Sequence, residues 1–321
     1  MSLRLTVRRD AYLGHLRRIV GTTAHLVPVV KGNGYGLGRD TLMGLVDELL
    51  GPDCKVAVGT VHELAEINAS HPVQIMTPLG DLDRSTSLPA RAIPTVASAR
   101  DLAILHDLGW RGHVTVKLAS SMRRFGVSHD EFAALVQEIS LAGCLIDSCS
   151  IHLPTAASEA ERLAELRTWI PSIPGCVTVS ASHITPAIAA QLMSEDPKRA
   201  IETRMGTQLW HGTKEHFSLH AEVLAVHQCS AGETVGYRAT TVPGDGRLVV
   251  IAAGTAQGVS PLPNGDSPFH FARTRMTLVE HPYMHSALTF VPEGQSCPEV
   301  GDVVDVQRPL TMVHADVVEW L

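Results

Sequence analysis

The chain has 321 residues, of which 45% are hydrophobic and 18% are charged, so it can bury a sizeable core and is not expected to be disordered. Its formal net charge is −7 and only 4% of its residues are aromatic. Nucleic-acid-binding proteins need a basic footprint and stacking platforms, so this class is set aside. Six cysteines without a C-x-x-C pair predict reduced thiols in a cytoplasmic protein. We expect neither a signal peptide nor a membrane span, because no suitable apolar run is present.

Apolar or β-branched runs alternate with helical segments through the first two thirds of the chain. After an initial strand at Leu3–Val7, eight further strands are predicted at Leu26–Lys31, Val56–Gly59, Val73–Thr77, Ala92–Val96, Val114–Leu118, Leu145–Ile151, Val177–Ser180 and Ile201–Arg204. Parallel strands need crossover helices, so eight such units predict a (β/α)₈ barrel of the TIM type. The rival fold is a doubly wound open sheet, which the absence of G-x-G-x-x-G after the first strand disfavours.

Helix starts and turns complete this outline. Capping-box spacing occurs at Thr60…Glu63, Ser128…Glu131 and Ser158…Glu161. After His211 the sequence pattern changes to strand-like segments separated by Pro-Gly and Asn-Gly turn signals. We therefore predict a barrel at residues 10–214, followed by a C-terminal β-rich domain at residues 215–321 that also takes in the strand within residues 1–9.

The most informative stretch is Val27–Gly38, which reads V-P-V-V-K-G-N-G-Y-G-L-G. An apolar run delivers Lys31 to the end of a predicted strand, and a glycine-rich loop follows. A lysine at the mouth of a barrel can lose its proton and become a nucleophile. Taken alone, the same pattern also fits a solvated lysine beside a surface turn.

Polar residues stand at or just after the ends of four later strands. They are Lys117 and Arg124, His152, Ser182, and Arg204. The carboxyl ends of barrel strands meet on one face, so these side chains are expected to lie near Lys31. Three of them have a structural alternative: a surface arginine for Arg124, a structural histidine for His152 and a helix cap for Ser182.

Three of these stretches carry a resemblance to a known family. Val29–Gly38 resembles the V-V-K-A-N-A-Y-G-H-G segment of the alanine racemase family. Lys117–Gly126 resembles its K-V-D-T-G-M-G-R-L-G, with Ala119-Ser120-Ser121 in place of Asp-Thr-Gly. Glu202–Gly212 resembles its V-R-x-G-I-x-x-Y-G, with a tryptophan for the tyrosine. Around Ser182 the family has Asn-Ser, and here Ala181 replaces the asparagine.

The resemblance implies pyridoxal 5'-phosphate as the cofactor and Lys31 as the Schiff-base lysine and one acid/base. It implies that the phosphate is held by Tyr35, Ser182 and the backbone N–H groups of Gly206 and Thr207. Tyr35 is, from the residues alone, equally a packing residue.

The remaining barrel residues also take roles from the resemblance. Arg204 would face the pyridine nitrogen, and His152 would stack on the cofactor ring or bond its neighbours. Arg124 would bind the cofactor's phenolic oxygen and the substrate carboxylate. Lys117 matches a lysine that is carbamylated in some family members.

The second catalytic base departs from the family pattern. Thr255 stands where the family has a catalytic tyrosine in G-Y-x-D-G, and an aliphatic hydroxyl is too weakly acidic for that role. A later family motif, G-R-V-x-M-D, corresponds to Glu280–His285. The backbone N–H of Met284 would meet the substrate carboxylate. Tyr283 or His285 would supply the base, unless both pack in a domain interface.

These observations predict a pyridoxal-phosphate-dependent amino-acid racemase that forms a head-to-tail homodimer. One alternative is a protein that binds the cofactor without racemase turnover, which Thr255 favours. Another is a lyase or dehydratase of the same fold, either dependent on this cofactor or assisted by a metal. In the metal version His281 and His285 would be ligands on one face of a strand, although two histidines make an incomplete site.

Overall fold

The computed structural model describes residues 3–67 and 70–321. These residues form two compact units. The barrel unit consists of His15–Gly34 and Gly38–Trp210. The β unit consists of Tyr35–Leu37, His211–Leu321 and the described residues up to Gly14. The domain limits predicted from sequence, 10–214 and 215–321 with 1–9, stay a prediction, and Met1 and Ser2 lie outside the described residues.

Parallel strands form the barrel. In chain order, β1 (Leu3–Val7) belongs to the β unit, and the barrel strands among the described residues are β2 (Leu26–Pro28), β3 (Val56–Val58), β4 (Val73–Ile75), β5 (Ala92–Val96), β6 (His113–Lys117), β7 (Leu145–His152), β8 (Thr178–Ser182) and β9 (Ile201–Met205). The spatial order is β2-β9-β8-β7-β6-β5-β4-β3. A parallel bridge between Val29 and Ala57 joins the two ends. The predicted (β/α)₈ barrel is therefore confirmed, and the open-sheet rival is wrong.

Helices cross between most of the barrel strands. In the described residues they are α1 (Arg9–Thr22), α2 (Arg39–Leu50), α3 (Ala99–Asp107), α4 (His129–Leu141), α5 (Glu159–Trp169), α6 (Pro186–Glu195) and α7 (Thr207–Trp210). Two crossovers are shorter, because 3₁₀ turns at Val61–Glu66 and Asp81–Asp83 take the place of α-helices. No helix in the described part of the chain is long and apolar enough to cross a membrane.

The predicted helix starts are confirmed by their hydrogen bonds. The Glu161 carboxylate accepts from the Ser158 backbone N–H at 2.7 Å and from its hydroxyl at 2.8 Å. Glu131 does the same for Ser128, at 3.4 and 2.6 Å. These bonds satisfy N–H groups that have no partner inside the helix. Thr185 caps α6 by accepting from the backbone N–H of Ile188 at 3.3 Å.

Antiparallel strands dominate the β unit. Its further strands are β10 (Phe217–Cys229), β11 (Thr234–Val235), β12 (Thr240–Thr241), β13 (Gly246–Ile251), β14 (Phe269–Phe271), β15 (Thr274–Arg275), β16 (Thr277–Leu278), β17 (Ala287–Pro292), β18 (Val303–Val306) and β19 (Val317–Trp320). The long strand β10 pairs with β1, β13 and β18. The predicted β-rich character is confirmed.

One predicted strand of this unit differs from the structure. The strand-like segment Arg273–Val279 predicts one strand, but the chain forms β15, which pairs with β14, and β16, which pairs with β17. The break is at Met276, whose side chain is buried and whose N–H donates to Phe269 O at 3.0 Å. This segment therefore changes partners in its middle, which its composition does not reveal.

A buried ion triad joins three elements at the amino ends of the barrel strands, the end opposite Lys31. Lys55 Nζ lies 2.7 Å from Asp147 Oδ2 and 2.6 Å from Glu202 Oε1. All three side chains are less than one fifth exposed. Burial on its own lowers the pKa of Lys55, but the two carboxylates outweigh it and the pKa is raised. The lysine therefore stays charged and neutralises two carboxylates that water reaches poorly.

Replacing this lysine tests the triad. We expect Lys55→Met to lower the free energy of unfolding by about 3 kcal/mol, because two buried carboxylates lose their partner. Urea denaturation of wild type and variant measures the difference. A loss below about 1 kcal/mol, the size typical of an exposed ion pair, would contradict this account.

Candidate active site

Lys31 lies at the carboxyl end of the first barrel strand, in a turn that needs glycine. The N–H of Gly34 donates to Lys31 O at 3.1 Å and closes the turn. Gly34 has a φ of +61°, and a Cβ there would lie 2.5 Å from the backbone nitrogen of Arg39. Only glycine adopts this conformation without strain and leaves that space open. The glycine-rich loop therefore leads from Lys31 into α2, which begins at Arg39.

The Lys31 side chain is open to solvent but surrounded by protein on several sides. Burial is the largest effect and lowers the pKa of Lys31. The nearby Arg124 and Arg204 lower it further, while the Glu63 carboxylate raises it. The net effect is a lowered pKa, which makes the unprotonated, nucleophilic amine more accessible.

A second lysine, Lys117, ends β6 and is buried. Burial, followed by the charges of Arg204 and Arg124, holds the pKa of Lys117 well below its usual value. Its Nζ lies 6.0 Å from the centre of the Phe125 ring, and the Arg124 guanidinium lies 4.7 Å from the same ring. Neither cation has an ion pair within the described residues. Lys117 at the end of β6 and Arg124 in the loop that follows thus lie beside one aromatic ring.

Histidines occupy the ends of β7 and the loop after β8. His152 Nδ1 lies 2.6 Å from Ser182 Oγ. The next residue, His183, has a φ of +61° and its Nδ1 donates to Leu153 O at 2.9 Å. The two imidazole centroids are 4.7 Å apart. Ser182 belongs to β8 and is not the helix cap, because Thr185 takes that position.

Burial makes His152 a neutral histidine. It is the largest cause of a pKa lowered to about 3, and the positive charges of Lys117, Arg204 and Arg124 add to it, as does His183. The pKa of His183 is also lowered, mainly by burial. Both rings are therefore hydrogen-bonding groups near neutral pH and add no charge to a site that is already cationic.

Arg204 lies on β9 and is held rigidly. One terminal nitrogen donates to Ser180 O at 2.6 Å and the other to Ile151 O at 2.7 Å. Its Nε is buried and has no hydrogen-bond partner among the described residues. A buried donor without an acceptor is costly, which indicates that something absent from the isolated chain accepts from it.

The end of β9 leads directly into α7, which begins at Thr207. The first N–H groups of a helix, here near Gly206 and Thr207, have no intrahelical partner. Trp210, the residue that replaces the family's tyrosine, is buried and its Nε1 donates to Val29 O at 2.8 Å. This indole therefore braces the backbone two residues before Lys31.

The structure thus brings together, on the barrel unit, most of the residues singled out in the sequence. Arg124 and Arg204 are close enough to Lys31 to lower its pKa, and Lys117 and His152 belong to the same cluster. Chemically, the cluster offers a nucleophilic lysine surrounded by anion-binding groups. Tyr35 belongs to the β unit, where it is buried and its carbonyl lies 2.8 Å from His211 Nε2.

In the β unit, Tyr283 lies directly against Thr255. The N–H of Thr255 donates to Tyr283 O at 2.8 Å, and its hydroxyl donates to the same oxygen at 3.3 Å. The Tyr283 hydroxyl donates to Glu280. Burial and this carboxylate raise the pKa of Tyr283 to about 12. Met284 and His285 are exposed.

His281 and His285 do not lie on a strand. They belong to a loop between β16 and β17, in which the N–H of Tyr283 donates to Ser286 O at 2.8 Å. The premise that they share a strand face is therefore wrong, because Pro282 and the tight bonding of the loop prevent extended pairing. Within the described residues, no group of three or more His, Cys, Asp or Glu side chains is arranged to hold a metal ion.

Two residues at the barrel site carry roles that the sequence did not reveal. Glu63 appears in the sequence only as part of a capping box, yet it also accepts from the backbone N–H of Gly32 at 2.8 Å. His183 follows Ser182 and adopts a left-handed backbone conformation, which is uncommon outside glycine, asparagine and histidine. No local pattern signals either role.

The low pKa of His152 predicts an acid-sensitive fold. The unfolded histidine binds a proton below about pH 6.5, whereas the folded one does so only near pH 3. Between these values the unfolded state binds more protons, so stability is complete above about pH 6.5 and falls as the pH drops. Replacement by glutamine, His152→Gln, removes this contribution.

We expect wild type to lose about 1 to 2 kcal/mol more than His152→Gln between pH 7 and pH 5. Urea denaturation at the two pH values measures this. The exposed His113, replaced as His113→Gln, serves as the control and should lose as much as wild type. Equal losses for wild type and His152→Gln would show that His152 is not held neutral.

Comparison with known proteins supports the resemblance to the alanine racemase family. Residues 11–212 match the family model described as alanine racemase, N-terminal domain. An alanine racemase of Nitratidesulfovibrio vulgaris (strain DP4) is 28% identical, with 80% of this chain and 75% of the relative covered. An alanine racemase of Yersinia pestis bv. Antiqua (strain Angola) is also 28% identical, with coverage of 77% and 72%.

Solved structures share the fold. An alanine racemase from Bartonella henselae, with covalently bound pyridoxal phosphate, superposes with a TM-score of 0.74 at 17% identity and covers 100% of both chains. The biosynthetic alanine racemase from Pseudomonas aeruginosa gives a TM-score of 0.71 at 18% identity, covering 100% of this chain and 99% of the other. The fold is common to both, and the family model spans more than half of the sequence. The chain therefore belongs to the alanine racemase family.

Proposed function

We propose that this chain is a pyridoxal-phosphate-dependent amino-acid racemase in which Lys31 holds the cofactor covalently and acts as one acid/base. The observation that carries the proposal is the pairing of a lysine of lowered pKa with a neighbouring arginine, Arg204, whose buried Nε lacks an acceptor. A nucleophilic amine and an unsatisfied buried donor are what an aromatic aldehyde with a ring nitrogen requires.

The rest of the barrel site suits the same cofactor. Arg124 and Arg204 act as positive charges on both Lys31 and Lys117. Glu63 is the carboxylate that acts on Lys31, and Glu202 acts on Arg204. A phosphate dianion would relieve the mutual repulsion of the cations. The groups assigned to the phosphate are Tyr35, Ser182 and the N–H groups of Gly206 and Thr207, and a helix start of this kind favours anions.

When bound, pyridoxal phosphate withdraws electrons from the substrate Cα and so acidifies its C–H bond. Lys31 would then move a proton at that carbon. Arg204 does not readily give up a proton, so it would leave the ring nitrogen unprotonated and favour simple proton transfer. Arg124 would orient the substrate through its carboxylate, since guanidinium binds a carboxylate with two parallel hydrogen bonds, and the N–H of Met284 would assist.

The second proton-transfer group comes from the β unit, where Tyr283 and His285 remain the candidates. Tyr283 has a pKa raised to about 12 and donates to Glu280, so near neutral pH it suits proton donation and not proton abstraction. His285 is exposed and free to approach a ligand. A head-to-tail homodimer, in which each β unit closes the partner's site, is part of this proposal.

The same observations also define the second candidate, a protein that holds the cofactor without racemase turnover. Thr255 replaces the family tyrosine, and Tyr283, whose backbone carbonyl Thr255 bonds, has a pKa raised to about 12. A lyase or dehydratase of this fold would need only Lys31 as base.

A cytoplasmic location is proposed because each cysteine of the described chain is a free thiol, as in a reducing compartment.

The cofactor assignment is tested by trapping. We expect the purified protein, incubated with pyridoxal phosphate and reduced with borohydride, to carry the cofactor on the peptide that contains Lys31. Lys31→Ala should carry none on that peptide, because the substitution removes its amine. Lys55, also partly buried but paired with two carboxylates, is the internal control and should stay unlabelled. Labelling spread over many lysines would contradict the assignment.

The reaction is tested with a panel of amino acids in heavy water. Racemisation predicts inversion together with deuterium uptake at Cα, measured by chiral chromatography and mass spectrometry. Exchange without inversion would leave Lys31 as the base and identify the second group as missing. Release of a keto acid would favour the lyase or dehydratase, and cofactor binding without exchange would favour the non-catalytic alternative.

A further inference from the structure

Glu63 is a largely buried carboxylate beside the loop that carries Lys31. It lies in the 3₁₀ turn Val61–Glu66 after β3, and its side chain is 14% exposed. A capping box requires it to bond only the turn's own start, at Thr60. Its contacts reach further, because one of its oxygens faces a loop 31 residues earlier in the chain.

The two carboxylate oxygens bind different loops. Oε1 accepts from the N–H of Gly32 at 2.8 Å, and Oε2 accepts from Gly59 at 2.6 Å and Thr60 at 3.3 Å. Gly32 directly follows Lys31, and Gly59 directly follows β3. Glu63 therefore ties the end of β2 to the end of β3, across the seam where the barrel closes.

Packing at this point is close. A Cβ built on Gly59 would lie 3.1 Å from Glu63 Oε2 and 3.5 Å from Lys31 Cβ. The carboxylate and the base of the lysine side chain therefore lie on either side of one glycine. Arg39 completes the arrangement, since it donates to Gly32 O and to Glu66 and its guanidinium lies 4.0 Å from Glu63 Oε1.

The charges around Lys31 give Glu63 a second effect. Arg124 and Arg204 oppose the protonated lysine, and His183 also lies within electrostatic reach of it. Glu63 is the acidic group, among the described residues that act on Lys31, that favours its protonated form. Arg39 partly offsets this charge, but most of its own hydrogen bonding is with Glu66.

We propose that Glu63 is a positioning residue for Lys31, which it holds at the barrel mouth through the Gly32 N–H and whose protonated form it favours through its own negative charge. The inference rests on the proposed role of Lys31 as the cofactor-binding lysine. In this role Glu63 does not contact the reacting atoms. It acts through its hydrogen bond to the Gly32 backbone and through its electrostatic attraction to the Lys31 ammonium group.

The test compares Glu63→Gln with Glu131→Gln. Glu131 has the same capping-box position on α4, and it is absent from the groups that act on Lys31, so it is a matched control. Lys31 is titrated by NMR after reductive methylation with ¹³C-formaldehyde, and the dissociation constant of pyridoxal phosphate is measured by equilibrium dialysis. The first readout does not require the cofactor.

We expect Glu63→Gln to move the Lys31 titration to lower pH and to weaken cofactor retention about tenfold, the factor that the loss of one hydrogen bond to a charged acceptor gives. Glu63→Asp, which keeps the charge but shortens the reach, should restore the titration more than the retention. Glu131→Gln should match wild type in both. If Glu63→Gln and Glu131→Gln show the same Lys31 titration and the same cofactor retention, the inference is overturned.

Failure of the proposed function has a different signature. If wild type does not retain pyridoxal phosphate at Lys31, the proposed function fails, while the NMR titration still reports on Glu63. If Glu63→Gln does not fold, Glu63→Asp carries the test, and a wild-type titration and retention in that variant would count against the inference.

Discussion

Val29 and Val30 donate hydrogen bonds in two directions, and this double bonding closes the barrel. Val29 N–H donates to Met205 O on β9 at 2.9 Å, and Val30 N–H donates to Ala57 O on β3 at 2.7 Å. Lys31 is the next residue, so the closure that removes the sheet's free edges also fixes where the lysine emerges. Trp210 adds a bond to Val29 O. The site therefore depends on the seam of the barrel, and Glu63 spans the same seam.

Positive charge concentrated at one end of the barrel explains the protonation of the site. Burial and mutual repulsion lower the pKa of Lys31 and Lys117 and make His152 neutral. The barrel end in this state is short of negative charge, since Glu63 is already bonded to three backbone N–H groups. These groups are already held in place by the fold, so they would bind an anionic ligand without having to rearrange. This favours a phosphorylated cofactor over a neutral one.

Much of this arrangement could be predicted because it follows local rules. Strand runs, capping boxes and the order of Lys31, Arg124, His152, Ser182 and Arg204 along the chain are visible in the sequence, and parallel strands bring their ends together. The bonds from Glu63 to Gly32 and from Trp210 to Val29 could not be predicted, because they join residues 31 and 181 positions apart. The loop at His281–His285 differs from the prediction because the even spacing of its two histidines suits one face of a strand, whereas Pro282 between them prevents extended pairing.

In the β unit, the backbone of Tyr283 contacts the segment in which Thr255 replaces the family tyrosine. Gly254 approaches so closely that a Cβ there would lie 2.2 Å from Tyr283 O, and Thr255 bonds the same oxygen twice. The backbone that carries Tyr283 is thus fixed by the segment in which the family tyrosine is missing. The phenol points to Glu280, which also accepts from the N–H groups of Tyr237 and Arg238 at 2.9 and 3.2 Å. These donors outweigh burial and lower the pKa of Glu280, so the carboxylate stays ionised and the proton stays on Tyr283. A protonated phenol of this kind can donate a proton to the substrate carbon but is slow to abstract one. In a racemisation, the rate-limiting step would then differ between the two directions.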